Sequence, residues 1–283
     1  MINHDSPASI RAFLDSRELA PRKRWGQNFL INPGARKKII SLLEIKRDMD
    51  VWEIGPGLGA MSADMLKAGA SLTVFEIDPA YCLWLKESLI SPKMNLVEGD
   101  VMKTWRKEWE IQKPDRVLGN LPYNAASVII AAFIESDRLA DICVFTVQDE
   151  MGKRMTAKPG TKDYSSFSVL CQTGARVKDG GRLSPGSFYP APRVNSRIVV
   201  LHPEENFGSI DNPPLFRLIV RSLFSSRRKT LSNNIILASR NKEFPEQEIL
   251  KDAFNSEGIE LTRRAETVSP GEWVAVANRV GKG

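Results

Sequence analysis

The sequence contains few cysteine and histidine residues. Its three cysteines, Cys82, Cys143 and Cys171, lie far apart in the chain, and none belongs to a Cys-x-x-Cys pair. Neither a disulfide framework nor a zinc site is therefore expected. The two histidines are His4, near the N-terminus, and His202, beside a proline. This scarcity disfavours any mechanism that needs a histidine base or a histidine-rich metal cluster, so we expect no metal.

Long hydrophobic runs are also absent from the sequence. No stretch approaches the roughly 18 consecutive apolar residues that a membrane-spanning helix needs, and the N-terminus lacks the apolar core of a signal peptide. We therefore expect a cytoplasmic protein that does not cross a membrane. The 283 residues are 42% hydrophobic and 26% charged, as in ordinary globular proteins, and this length allows one large domain or two smaller ones.

The chain carries more basic than acidic residues. It has 40 lysines and arginines against 34 aspartates and glutamates, which gives a formal net charge of +6. A positive surface suits an anionic partner such as a nucleic acid, although an ordinary solvated basic surface would explain the same excess. The charge alone therefore leaves both interpretations open.

The first two hundred residues alternate between predicted strands and helices. Short apolar runs predict strands, and apolar residues three or four positions apart predict helices. Such alternation is typical of a parallel sheet covered by helices on both faces. Two later strands, at 168–177 and 195–202, have no clear helix between them and predict an antiparallel edge. The predicted parallel strands are 51–54, 73–77, 95–100, 115–120 and 142–147, with helices that include 58–66 and 127–134.

The pattern changes at residues 201–214, which are rich in glycine, asparagine, aspartate and proline and are typical of a linker. The segments after it, 215–224, 230–239 and 272–280, are helical in character. We therefore predict two domains. Residues 1–205 would form the sheet domain, and residues 206–283 would form a small helical domain that binds RNA or substrate.

A glycine-rich segment follows the strand at 51–54 and opens a helix. It reads Glu53-Ile54-Gly55-Pro56-Gly57-Leu58-Gly59-Ala60. Glycines such as Gly55 and Gly57 let the backbone turn tightly and approach a ligand, while the helix N-terminus offers free N–H groups. Glu76 ends the next strand 21 residues after Gly55, where its carboxylate can accept hydrogen bonds from both hydroxyls of a ribose. The spacing predicts a nucleoside cofactor and leaves NAD and S-adenosylmethionine both open.

Two later strand ends favour S-adenosylmethionine over NAD. Asp100 stands where a carboxylate can accept the exocyclic amine of adenine, and Asn120-Leu121-Pro122-Tyr123 follows the fourth strand. Adenine N6 is a poor nucleophile because its lone pair is delocalised into the ring, so acceptors must hold the amine. The side-chain oxygen of Asn120 and the carbonyl of Leu121 can do this. Pro122 fixes the turn, and Tyr123 offers a flat face to the base.

These motifs occur together in one known family. The sequence resembles the KsgA/RsmA family of small-subunit ribosomal RNA adenine N6,N6-dimethyltransferases along nearly the whole chain. The matching segments are Gly26-Gln27-Asn28-Phe29-Leu30, the glycine-rich segment, Glu76, Asp100, Asn-Leu-Pro-Tyr-Asn at 120–124, Phe188-Tyr189-Pro190-Ala191-Pro192-Arg193-Val194-Asn195-Ser196, Arg227-Arg228-Lys229-Thr230-Leu231 and Arg264-Ala265-Glu266.

The resemblance implies an α/β fold, with a Rossmann-like class I S-adenosylmethionine-dependent methyltransferase sheet of seven mostly parallel strands and a small all-helical C-terminal domain. It implies dimethylation of two adjacent adenosines at N6, in the hairpin near the 3′ end of 16S rRNA within an immature 30S subunit. The implied cofactor residues are Asn28, Leu30, Gly55, Glu76, Asp100 and Asn120, to which the glycine loop adds Gly57. The implied catalytic residues are Asn120, Leu121, Pro122, Tyr123 and Phe188, and we expect Phe188 to stack on the target base rather than pack in the core.

Two basic clusters are candidates for RNA contact. They are Arg22, Lys23 and Arg24 before the N-terminal motif, and Arg227, Arg228 and Lys229 at the start of a predicted helix. The first cluster either contacts RNA phosphate or forms a solvated turn. Cations at a helix start oppose the helix dipole, so the second cluster needs a partner, either RNA or carboxylates of the other domain. We expect a monomer, and the segment before Arg22 is somewhat longer than in the family.

Three other functions compete with this one. A related branch dimethylates one adenine in 23S rRNA and confers macrolide resistance, but the complete second-domain motifs and the Asn-Leu-Pro-Tyr form argue against it. An assembly factor that keeps the fold only for binding is disfavoured by the intact site residues, among them Asn120 and Glu76. A dehydrogenase that uses NAD would need a proton donor near the glycine loop, and the sequence offers no suitable one there.

Overall fold

The computed structural model describes residues 2–19, 26–204 and 209–281, which form twelve α-helices and nine β-strands. The strands are β1 (Phe29–Leu30), β2 (Asp50–Ile54), β3 (Ser71–Glu76), β4 (Met94–Glu98), β5 (Arg116–Asn120), β6 (Ile142–Gln148), β7 (Ala175–Leu183), β8 (Phe188–Tyr189) and β9 (Ser196–Pro203). The helices are α1 (Pro7–Ser16), α2 (Pro33–Leu42), α3 (Ala60–Lys67), α4 (Pro79–Ser88), α5 (Val101–Ile111), α6 (Ala126–Glu135), α7 (Asp149–Thr156), α8 (Ser166–Gly174), α9 (Pro213–Leu223), α10 (Leu231–Ala238), α11 (Gln247–Ser256) and α12 (Pro270–Val280). None of these helices has the length and apolar character to cross a bilayer.

Seven of the strands form one sheet in the order β4-β3-β2-β5-β6-β9-β7. Strands β2 to β6 pair in parallel with one another, and β9 runs antiparallel to β6. The predicted Rossmann-like sheet of seven mostly parallel strands is therefore confirmed. Its strand order reverses between β2 and β5, and open α/β sheets bind their ligands at such a reversal, outside the carboxyl ends of the strands.

Polar residues start several of the helices that surround this edge of the sheet. Asn32 caps α2 by accepting the Ala35 N–H at 2.8 Å. Asp78 caps α4 and Asp100 caps α5 in the same way, each through the N–H two residues further on. The central strands are largely buried because both faces are covered: four of the five residues of β2 and six of the seven of β6 are buried. Each chain segment therefore turns from strand to helix at the edge where a ligand would bind.

The strand predicted at 168–177 is wrong over most of its length. Residues 166–174 form α8, and β7 begins only at Ala175. Ser165 and Ser168 start α8 with a capping box, in which each side chain bonds the backbone N–H of the other. The apolar residues that follow are buried on every side of the helix. They therefore lack the spacing that would distinguish a helix from a strand.

The chain divides into two compact units. The first consists of Met1–Ile130, Leu139–Gly152 and Lys178–His202, and the second of Ala131–Arg138, Lys153–Val177 and Pro203–Gly283. The single boundary expected at residue 205 lies close to the start of the last segment, but the second unit also takes two segments from the sheet half of the sequence. One contact that joins these segments is made by Tyr164, a buried residue whose hydroxyl donates to the Val268 carbonyl at 2.9 Å.

Each unit has its own apolar core. In the first, helices α2 and α3 pack on the sheet. Ile39 of α2, Met65 of α3 and Val74 of β3 are fully buried there. In the second, the ring of the buried Trp273 lies 5.8 Å from the rings of both Phe224 and Phe254. Burying large aromatic side chains in this way contributes much of the stability of a small helical unit.

Candidate active site

The first unit contains a cavity of about 390 Å³ at the carboxyl ends of β2, β3, β4 and β5. All seven residues expected to bind a cofactor line it, namely Asn28, Leu30, Gly55, Gly57, Glu76, Asp100 and Asn120. They come from distant parts of the sequence, and the parallel sheet brings them together because these strands end at a common edge. Of the remaining catalytic candidates, Pro122 also lines the cavity.

Three positions of the loop between β2 and α3 favour glycine. Gly55, Gly57 and Gly59 have φ angles of 71°, 56° and 80°, in the left-handed region that favours glycine. A Cβ atom at Gly57 would also lie 3.1 Å from the Phe29 ring, and one at Gly59 would lie 2.8 Å from Leu89. The loop therefore approaches the N-terminal motif closely and leaves its backbone exposed to the cavity.

Glu76 connects the glycine loop to the end of β3. One carboxylate oxygen accepts the Gly57 N–H at 3.1 Å, and the other accepts the Asp78 N–H at 2.9 Å. The residue is 4% exposed, and burial raises the pKa of its carboxyl group from 4.5 to about 7, despite these two bonds. Carboxylate oxygens have about four lone-pair positions, so Glu76 can hold the loop and still accept ribose hydroxyls.

Sequence reasoning missed a second buried carboxyl group. Glu53, in β2, is fully buried, and one of its oxygens accepts the Ser62 hydroxyl at 2.5 Å. Burial, with a smaller contribution from the charge of Glu76, raises its pKa from 4.5 to about 7. The signal in the sequence was an acidic residue inside an otherwise apolar strand. Two carboxyl groups that resist ionisation therefore lie in neighbouring strands, where Glu76 is bonded to the glycine loop and Glu53 to the helix that follows it.

These two carboxyl groups predict an unusual pH dependence of stability. The folded chain binds their protons more tightly than the unfolded chain does, so their ionisation destabilises the fold. We therefore expect the free energy of unfolding of the ligand-free protein to fall as pH rises from about 4.5 to about 7. Each carboxyl group contributes of the order of 3 kcal/mol at most.

Denaturant titrations at pH 5 and pH 8 test this expectation. The substitution Glu53→Gln should remove about half of the difference between the two pH values, because one of two similar groups is lost. Glu98 at the end of β4 is exposed, so Glu98→Gln is the control and should keep the wild-type difference. An unchanged difference in Glu53→Gln would contradict the assignment.

Asp100 has a structural role as well as a place in the cavity wall. Its side chain accepts the Met102 N–H at 2.9 Å and so caps α5. The preceding Gly99 has a φ angle of 118°, and nothing lies within 4 Å of the position of a Cβ there. The cap fixes the direction of the carboxylate while its second oxygen remains available to a ligand amine.

Asn120 connects the end of β5 to the N-terminal motif. Its side-chain amide nitrogen donates to the Asn28 carbonyl at 2.9 Å. Asn28 in turn donates its amide to the Gly26 carbonyl at 3.0 Å, and a Cβ at Gly26 would lie 3.2 Å from the Cβ of Pro122. These contacts use the nitrogen end of the Asn120 amide and so direct its oxygen toward other partners.

Tyr123 is connected to the segment at 188–196. Its hydroxyl is hydrogen-bonded to that of Ser196 at 2.6 Å, and Ser196 is fully buried at the start of β9. Burial raises the pKa of the Tyr123 hydroxyl. The short strands β1 and β8 also pair, with Phe29 opposite Tyr189. The three motif segments around the cavity are therefore bonded to one another.

Phe188 does not occupy the position expected for stacking on a base. Its side chain is 3% exposed and packs in the core of the first unit with Leu30, Leu183 and Ile198. Like Leu121 and Tyr123, it is absent from the described lining of the cavity. The physical reason is the pairing of β8 with β1, in which Phe188 lies opposite Leu30 and faces inward with it. The Phe188 ring therefore packs against Leu30, a residue that lines the cavity.

The three residues of the second basic cluster, at 227–229, differ in their contacts. Arg227 donates from Nε and Nη2 to one oxygen of Glu266 at 2.9 and 2.6 Å, and also from Nη1 to the Lys162 carbonyl at 2.5 Å. It therefore already has a carboxylate partner within the second unit. Arg228 and Lys229 are exposed and precede Thr230, which caps α10. The first cluster, Arg22 to Arg24, lies outside the described residues.

The sequence is similar to that of known proteins over nearly its whole length. A family model described as ribosomal RNA adenine dimethylase matches residues 19–282. The ribosomal RNA small subunit methyltransferase A of Borreliella burgdorferi strain ZS7 is 42% identical over 98% of this chain and 95% of its own length. The protein of the same name in Treponema denticola is 38% identical over 99% of this chain and 96% of its own length.

Two solved structures share the fold. A dimethyladenosine transferase from Plasmodium falciparum superposes with a TM-score of 0.74 at 25% identity, over 87% of this chain and 94% of that one. The 23S rRNA methyltransferase ErmE shares the fold, with a TM-score of 0.65 at 19% identity over 90% of this chain and all of that one. Because the family model and the similar sequences cover nearly the whole chain, this protein belongs to the ribosomal RNA adenine dimethylase family.

Proposed function

We propose that this protein uses S-adenosylmethionine to dimethylate two adjacent adenosines at N6, in the 3′-terminal hairpin of 16S rRNA in an immature 30S subunit. The observation that carries the proposal is the position of Asn120. Its amide nitrogen is bonded to Asn28, so its oxygen is oriented by the fold, and it lines the same cavity as Glu76 and Asp100. An amine acceptor thus lies beside a nucleoside-type site.

The residues of the cavity fit S-adenosylmethionine. A volume of about 390 Å³ lies in the range of small-molecule sites. Glu76 would accept the ribose hydroxyls, Asp100 the adenine amine, and Asn28, Leu30, Gly55 and Gly57 would form the wall around the remainder. When bound, the cofactor supplies an electrophilic methyl group attached to a positively charged sulfur.

The chain's own residues prepare the target amine. The oxygen of Asn120 and the carbonyl of Leu121 would accept the N–H groups of adenine N6 and orient its lone pair toward the methyl group. Pro122 fixes this turn, and the Leu121 N–H is bonded to the Thr146 carbonyl at 3.2 Å. Tyr123 would lie against the base, held through Ser196. The proton can leave after the transfer, so no strong base is required.

Small-subunit RNA is the substrate that the relatives favour. The bacterial relatives at 37–42% identity are named as small-subunit methyltransferases, whereas ErmE resembles this chain at 19% identity, in fold alone. We place RNA phosphate contacts at Arg228 and Lys229, which are exposed, and at Arg22, Lys23 and Arg24. Arg227 is assigned instead to stabilising the second unit through Glu266.

The test is methylation of 30S particles that lack this modification. After incubation with the protein and S-adenosylmethionine, mass spectrometry of 16S rRNA fragments should find two adjacent dimethyladenosines. Free 23S rRNA under the same conditions is the control and should stay unmodified. Modification of 23S rRNA instead would support the macrolide-resistance activity. Binding of 30S particles without any methyl transfer would support an assembly factor.

A further inference from the structure

One arginine lines the cavity, and the residues assigned to the adenine and the ribose do not account for it. Arg36, in α2, lines it and is 8% exposed, so this guanidinium is largely removed from water. Among the described lining residues it is the one lysine or arginine, while Glu76 and Asp100 are the acidic ones. A buried cation is costly unless it has partners of opposite charge.

Arg36 is held in place by two contacts. Nη1 donates to the Leu30 carbonyl at 2.9 Å, and Nη2 forms an ion pair with Asp5. The Asp5 side chain is 49% exposed, compared with 9% for Arg36, so water weakens this ion pair from one side. A guanidinium has five N–H groups, and these two partners account for two of them. The remaining edge can serve another acceptor.

The segment at residues 2–18 forms part of the cavity wall. Ser6 caps α1, and Ile10 and Leu14 on this helix pack with Leu58 of the glycine loop and Tyr81 of α4. This packing brings His4 and Ile10 to the cavity. The family model begins at residue 19, so this segment lies outside the part of the chain that the family model describes.

The order of the strands determines which part of a cofactor reaches Arg36. Asp100 follows β4 at the sheet edge, Glu76 ends β3, and the glycine loop follows β2. A nucleoside with its adenine at Asp100 and its ribose at Glu76 therefore extends toward the glycine loop. Arg36 lines the cavity together with Ala60 and Met61, at the start of the helix that follows this loop.

We propose that Arg36 binds the α-carboxylate of the methionine part of S-adenosylmethionine. The proposal rests on the proposed function, because it takes the cofactor from it. A planar guanidinium matches a carboxylate in shape and charge, and the pair is stronger in a site partly removed from water. The same contact selects against adenosine derivatives that lack the carboxylate.

The test compares two ligands that differ only in this group. Isothermal titration calorimetry measures the dissociation constants of S-adenosylmethionine and of decarboxylated S-adenosylmethionine for the wild type and for Arg36→Gln. Arg36→Gln should weaken binding of the first ligand by about 10- to 100-fold, the typical value of a charge-assisted hydrogen bond. Binding of the decarboxylated ligand should change less than about threefold. The ratio of the two dissociation constants, which expresses the preference for S-adenosylmethionine, should therefore fall.

Arg116→Gln is the matched control. Arg116 is 7% exposed in the same unit, donates to the Leu43 carbonyl at 2.6 Å and lies 3.5 Å from the Asp141 carboxylate, but it does not line the cavity. Its loss should leave the ratio of the two dissociation constants at the wild-type value. Equal weakening of both ligands in Arg36→Gln would overturn the proposal and make Arg36 a structural residue.

A second variant keeps the proposal testable if Arg36→Gln does not fold. Asp5→Asn removes a negative charge beside the carboxylate position, so S-adenosylmethionine should bind a few times more tightly while the decarboxylated ligand is unaffected. Unchanged or weaker binding of S-adenosylmethionine to Asp5→Asn would overturn the proposal. Failure of the wild type to bind either ligand would instead refute S-adenosylmethionine as the cofactor, and with it the proposed function.

Discussion

Replacing Asn120 with alanine is expected to slow adenine methylation by about 10³-fold while weakening S-adenosylmethionine binding less than about tenfold. The rate falls because the target amine loses the acceptor that orients its lone pair. Binding changes less because the cofactor keeps its proposed contacts with Glu76 and Asp100, while the loss of the bond from Asn120 to the Asn28 carbonyl accounts for the moderate weakening. Single-turnover methylation of 30S particles gives the rate, and calorimetry gives the affinity.

The control for this substitution is Asn95→Ala. Asn95 is exposed in the edge strand β4, so its loss should change neither rate nor affinity. Methylation by Asn120→Ala within tenfold of the wild-type rate would contradict the role given to this residue. Losses of rate and affinity that match each other would show that the substitution damages the cavity as a whole, because a selective effect on the transition state lowers the rate alone.

Replacing Glu76 with glutamine is expected to raise the dissociation constant of S-adenosylmethionine by about 100-fold. The carboxylate accepts backbone N–H groups from Gly57 and Asp78 and, in the proposed complex, both ribose hydroxyls. A glutamine amide turns one of these acceptors into a donor, so an N–H group would face another N–H group. The loss therefore combines weaker ribose binding with a displaced glycine loop.

The pH dependence of binding provides a second measurement on Glu76. Its pKa is about 7 in the ligand-free protein, and the hydroxyls of a ribose favour the ionised form. Wild-type affinity should therefore decrease as pH falls below about 7, and the affinity of Glu76→Gln should not show this decrease. Glu98→Gln is the control, because Glu98 pairs in register with Glu76 but is exposed and bonded to Lys86. Affinity within fivefold of wild type in Glu76→Gln would contradict the assignment.

Much of the fold and of the cofactor site could be predicted because the chemistry is local in the sequence. A parallel sheet places the residue after each strand at a common edge, so Gly55, Glu76 and Asp100 could be assigned to one site from spacing alone. Because neighbouring strand ends lie side by side, the Glu76 carboxylate also comes within reach of the Gly57 N–H.

Other features depended on contacts between distant segments and could not be predicted. Arg36 occupies a position in α2 that looks like any surface cation, yet it is buried and pairs with Asp5, which lies 31 residues earlier in the chain. Phe188 was expected at the base, yet pairing with β1 turns it inward. Arg227 was assigned to either RNA or the other domain, but its carboxylate partner, Glu266, is in its own unit. In each case the deciding partner lies far away in the chain.

The pairing of β1 with β8 has a consequence for the order in which the protein becomes functional during its synthesis. Residue 29 pairs with residue 189, and Tyr123 is bonded to Ser196, so one wall of the cavity stays incomplete until more than two-thirds of the chain has been made. A ligand stabilises only a state that can bind it. S-adenosylmethionine can therefore assist folding only at a late stage, and the emerging N-terminal half must remain intact without it.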